Sequence, residues 1–135
     1  MLLFSQGSAD TELSDADLAS ALVSALEQLG ERKKVITVPP DFTRFNSKSG
    51  VLACAAAEYY GENLADVLPA LGTHFPMSAA QLERMYPTVP RELIRAHRWR
   101  EDVVTIGEVP ADYVSEVTDG IWTRPWPAQL NNLIW

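Results

Sequence analysis

Two short stretches carry the side chains best suited to chemistry: Asp41-Phe42-Thr43-Arg44 and Gly72-Thr73-His74. Histidine titrates near neutral pH, so His74 is a candidate for proton transfer. It is one of only two histidines, and its other reading is an ordinary surface residue. Arg44 offers a planar fork for a carboxylate or phosphate. Alternatively it pairs with Asp41, three residues away. Asp41 can orient a histidine, as carboxylates often do, or can close an Asx-turn after Pro40. Thr43, Thr73 and Ser78 could donate hydrogen bonds to a cofactor phosphate near a helix start. Ser78 has a competing use, because Gln81 three residues on completes a capping box.

The surrounding elements must bring these stretches together. Val35-Ile36-Thr37-Val38 is β-branched throughout and predicts a buried strand. Pro39-Pro40 stops it, since proline cannot donate to a ladder. A helix is expected over about Ser47–Tyr60, rich in small residues and ended by Gly61. Ala65–Leu71 is the next strand, with Pro69 as a conflict that suggests an edge. Before this unit, Ser14 and Asp17 open a helix whose Leu18, Leu22, Ala25, Leu26 and Leu29 recur at helical spacing, up to Gly30. Residues 2–6 are expected to form a short strand. After the unit come a helix over Ala79–Met85 and another over Arg91–His97. Strands over Val103–Ile106 and Tyr113–Val117 follow, then an irregular Thr123–Pro127.

Strand, helix, strand, helix, strand predicts an α/β fold of three layers. Its sheet is mostly parallel and Rossmann-like, with right-handed crossover helices. In such sheets ligands bind beyond the carboxyl ends of the strands. Asp41, Arg44 and His74 then lie on neighbouring loops if the first two strands pair.

Composition narrows the classes. The 135 residues suit one domain over 1–135, and 47% are hydrophobic, as in a folded chain. A formal charge of −7 disfavours nucleic acid and anionic lipid as partners. No run approaches the roughly 20 apolar residues of a membrane span. The N-terminus lacks a basic signal-peptide start, and the single Cys54 forms no intrachain disulfide, so the cytoplasm is the default location. Two histidines and one cysteine do not make a closed metal site. Phosphate-binding glycine loops, the nucleophile elbow and C-x-x-C are absent from the sequence.

Val38-Pro39-Pro40-Asp41-Phe42-Thr43-Arg44, followed by Leu71-Gly72-Thr73-His74-Phe75-Pro76-Met77-Ser78, resembles the N-terminal domain of the nickel-dependent lactate racemase family. A D-x-T-R loop and a later G-x-H-x-P loop, at this spacing, carry the resemblance over roughly residues 33–120. It implies a racemase or epimerase acting on a 2-hydroxy acid by hydride transfer through a nickel-pincer nucleotide. His74 would be one of two acid/base groups, Arg44 would hold the anionic substrate, and Asp41 would stand beside them. Phe75 occupies a position that is commonly basic in the family. The family's tethering lysine, nickel-ligand histidine and second acid/base histidine have no counterpart here. The resemblance therefore implies the N-terminal part of a two-domain protein. Alone this part would be inactive, with no cofactor bound to it and the C-terminal domain missing.

The end of the chain, Leu130-Asn131-Asn132-Leu133-Ile134-Trp135, is apolar. It fits either a docked final strand or a domain boundary within a longer protein. Two further readings stay open. One is a non-catalytic domain binding a small anion or nucleotide on the same loops. The other is an interaction domain using Trp99, Trp122, Trp126 and Trp135.

Overall fold

The computed structural model describes residues 1–72 and 74–135. Thr73, a candidate cofactor-binding residue, lies outside the described residues. The chain is α/β and divides into two compact units, Met1–Ala96 and His97–Trp135.

In the first unit, α1 spans Asp15–Leu29. Its start is fixed as the sequence predicts: the Ser14 hydroxyl accepts from the Asp17 amide at 3.2 Å, and the Asp17 carboxylate accepts from the Ser14 amide at 2.9 Å. Leu18, Leu22, Ala25 and Leu26 are half-buried along one face, and α1 packs on α2. The strand β1 spans Val35–Thr37, and β2 spans Leu64–Val67. They pair in parallel, with Ile36 opposite Asp66 and Thr37 opposite Val67. The pairing resumes beyond both strands, where the Ala70 amide donates to the Pro39 carbonyl at 2.8 Å and Pro40 bridges Ala70. A parallel pair needs a crossover, which α2, Ser49–Tyr60, supplies. Ala53, Ala56 and Ala57 are buried along it, and Gly61, at φ 51°, ends it.

On its other side β2 meets Ile94, and the Arg95 amide donates to the Val67 carbonyl at 2.8 Å. β2 is therefore central, and Val67 is fully buried. β1 has β2 as its sheet neighbour and is only half-buried. Pro69 causes no conflict. The Leu68 and Ala70 amides face β1, so alternation turns the missing Pro69 N–H away from it. The helix α3, Ala79–Met85, starts with the predicted capping box of Ser78 and Gln81. The core gathers Ala53, Ala57, Leu64, Val67, Met85 and Tyr86.

Two predictions fail in this unit. Residues 2–6 form no strand. The helix expected over Arg91–His97 is a single 3-10 turn, Arg91–Leu93, because Ile94 turns extended to bridge β2.

The second unit is a two-stranded antiparallel sheet with one helix. β3, Val103–Val109, pairs with β4, Trp126–Asn131, and α4, Ala111–Val117, lies between them in sequence. Among the described residues the α/β chain thus carries a small parallel pair and an antiparallel pair. The third strand of the sequence pattern pairs with the final strand instead. Tyr113–Val117 is helical rather than extended. Its short alternation also fits a helix that buries Val114, and the Thr118 hydroxyl donates to the Val114 carbonyl at 2.8 Å. Trp126 and Pro127, expected in an irregular segment, open β4. A two-stranded sheet leaves each strand one open edge, which tolerates proline.

Candidate functional site

The parallel pairing of β1 and β2 sends both chains out at the same sheet end. After Pro40, Asp41 begins a 3-10 segment, Phe42–Ser47. Its carboxylate caps that segment: Oδ1 accepts from the Thr43 amide at 3.1 Å and from the Thr43 hydroxyl. This is the Asx-type turn that the sequence offered as one reading of Asp41. The other reading holds as well, because Oδ2 faces His74 Nδ1 at 2.7 Å. One carboxylate thus serves both loops, with one oxygen for each.

The side chain of Asp41 is 6% exposed and that of His74 is 51% exposed. Burial pushes the Asp41 carboxyl up, but hydrogen bonds from Thr43 and His74 outweigh it and hold it below its ordinary 3.8. An ionised carboxylate can only accept, so the proton of the contact lies on His74 Nδ1. The neutral ring then keeps a free lone pair on Nε2. A histidine oriented by a carboxylate in this way is equipped to take up a proton.

Two residues that the sequence did not single out support the loop. The Tyr86 hydroxyl donates to the Pro40 carbonyl at 2.7 Å, and Tyr86 is 1% exposed. Burial, with the nearby Asp41 charge, pushes its phenol well above the ordinary value. The Phe42 amide donates to the Met77 sulfur at 3.2 Å, tying the first loop to the segment after His74. Both contacts join distant parts of the chain, so no local pattern signals them.

Arg44 is exposed and pairs with no carboxylate among the described residues. The pairing with Asp41 offered by the sequence is therefore not made. Its guanidinium donates to the Thr43 hydroxyl at 3.3 Å. Thr43 itself is engaged, since its hydroxyl hydrogen goes to Asp41. Ser78 caps α3. His97 lies in the other unit, where its Nδ1 meets the Asn131 side-chain amide at 2.9 Å.

The chain shares its fold with a crystallographically solved protein from Thermotoga maritima. The identity is 27%, the TM-score is 0.73, and the match covers 90% of this chain. This chain spans about a third of that protein's length (31%). No protein-family model matches, and a search of curated proteins returned no match.

A resident metal does not fit these residues. Among the described residues no three His, Cys, Asp or Glu side chains converge as a ligand set. Both Asp41 oxygens are engaged, which leaves His74 Nε2 as one free donor. Among the described residues, no helix is long and apolar enough to cross a membrane.

Proposed function

We propose that this chain forms one wall of the active site of a lactate-racemase-like enzyme acting on a 2-hydroxy acid. One observation carries the reading: a buried Asp41 aims a half-exposed His74 at the carboxyl ends of two parallel strands. His74 Nε2 takes the proton of the substrate hydroxyl, and Asp41 stabilises the imidazolium that forms. Arg44, which pairs with no carboxylate among the described residues, offers its fork to the substrate carboxylate. Thr43 positions Asp41, and its second contact leads to Arg44.

Hydride exchange at the α-carbon needs a cofactor, in this reading a nickel-pincer nucleotide held by segments outside this chain. No step through it is assigned to these residues. In the same reading the parallel pair belongs to a larger, three-layer Rossmann-like sheet, and the protein works in the cytoplasm. Substrate turnover then requires a second domain that completes the cleft.

The test is racemisation of single enantiomers from a panel of 2-hydroxy acids, followed by chiral chromatography, using a longer protein bearing this segment and its cofactor. His74→Ala and Arg44→Ala should each abolish most of the racemisation, with Arg44→Ala acting chiefly through KM. Wild-type racemisation by the His74→Ala variant would refute the acid/base role. Full activity of the 135-residue chain alone would refute the half-site. Tight anion binding without racemisation would favour a binding domain instead.

A further inference from the structure

The first unit holds a concavity that shares no residue with the Asp41–His74 pair. Its volume is about 490 Å³, within the range of roughly 300–1,000 Å³ typical of small-molecule sites. One face of α2 floors it, with Gly50, Val51, Cys54, Ala55 and Glu58 at helical spacing. Phe45 and Met85 form an apolar wall. At the rim Lys48 and Asp15 pair at 2.9 Å and neutralise each other.

Arg84 also lines the cavity and is not neutralised. Its guanidinium stands 4.6 Å from the Phe45 ring centroid and 5.8 Å from that of Phe42. The rings support the cation without satisfying its donors. No carboxylate among the described residues pairs with it. Arg84 adjoins Met85, which touches Gly50, so it sits at the Gly50 end of the floor. Glu58 lies eight residues along α2, about 12 Å away at 1.5 Å per residue. The cavity thus has a cationic end, an apolar middle and an anionic far end.

We propose that this cavity binds a small organic monocarboxylate with an apolar body. The carboxylate takes the Arg84 fork, and the body lies over Val51, Cys54, Ala55 and Phe45. Glu58 repels a second negative charge, which selects monoanions. The assignment is independent of the chemistry proposed for His74.

Amide shifts of the ¹⁵N-labelled chain, titrated with 4-phenylbutyrate, 4-phenylbutan-1-ol and phenylsuccinate, test it. The monocarboxylate should give saturable shifts centred on Val51, Cys54 and Ala55. The alcohol, which lacks the charge, should bind at least about tenfold more weakly, as loss of a charge-assisted hydrogen bond requires. Arg84→Gln should erase that difference, and Glu58→Gln should admit the dicarboxylate. Saturation should also slow alkylation of Cys54 by iodoacetamide, and this readout is unambiguous because the chain has one cysteine. Equal binding of acid and alcohol, shifts centred elsewhere, or no saturable shift would each overturn the proposal.

Discussion

Replacing Asp41 tests the site most directly, because one side chain holds both loops. Asp41→Ala removes the acceptor of the Thr43 amide at 3.1 Å, the acceptor of the Thr43 hydroxyl, and the partner of His74 at 2.7 Å. The amide contact is a capping interaction, whose loss typically costs about 1 kcal/mol. Thr43 is exposed, so water replaces the hydroxyl contact at little cost. His74 is half-exposed, which limits its pairing to at most about 1 kcal/mol. The sum is at most about 2 kcal/mol, which lowers the melting temperature of a domain this size by no more than roughly 6–10 °C.

Asp41→Asn separates the turn from the charge. The amide oxygen still accepts from Thr43, but the amide nitrogen donates to His74 Nδ1. The neutral imidazole must then carry its proton on Nε2. Thermal melts by circular dichroism measure the first effect, and imidazole ¹⁵N shifts measure the second. The sign with pH follows from the lowered Asp41 pKa. Its stabilising share is complete above about pH 4 and is lost as pH falls through the lowered value. Asp41→Asn should lack that acid-side slope. An Asp41→Ala melt within 2 °C of the parent, or an Asn variant that keeps its proton on Nδ1, would refute the reasoning.

Three further substitutions probe the support of the site. Gly50→Ala should destabilise by about 1–2 kcal/mol in urea denaturation, although alanine gains about 1 kcal/mol in helix propensity. An added Cβ would lie 2.3 Å from the Met85 carbonyl oxygen, which cannot swing aside. Tyr86→Phe leaves the half-buried Pro40 carbonyl without its donor and should cost about 1 kcal/mol. Because the Tyr86 pKa is raised on folding, the parent should also lose stability as pH climbs above 10, and the variant should not lose this component. Ser78→Ala breaks the capping box of α3 and should cost about 1 kcal/mol by the same denaturation assay.

Helix starts and ends were legible because capping is local. Ser14 with Asp17, and Ser78 with Gln81, carry their geometry within four residues. The contact of Asp41 with His74 was legible for a different reason. Two strands joined by a helical crossover must run parallel, and that alone brings their carboxyl ends together. What stayed hidden depends on partners far along the chain. Whether Val103–Val109 joins β2 or pairs with Trp126–Asn131 is a choice between non-local pairings, which no local window contains. The segment after Arg91 has helical composition, but its Ile94 bridges Val67. Tyr113–Val117 is too short for its period to separate strand from helix. Tyr86 reaches across 46 residues to the Pro40 carbonyl, so a phenol essential to the loop leaves no mark near Asp41.

The parallel register acts as a ruler with consequences for insertions and deletions. Asp41 and His74 are 33 residues apart, yet their meeting depends on two short spacers, Thr37 to Asp41 and Val67 to His74. Each is counted from a fixed pair of the ladder, Thr37 opposite Val67. One extra residue in the first spacer displaces Asp41 by up to about 3.3 Å, more than the length of the bond it must make. The crossover carries no such count. A turn could be gained or lost near Gly61, at the far end of α2, without moving either spacer. Length variation compatible with the site should therefore collect at that distal end, while the two strand exits keep their spacing.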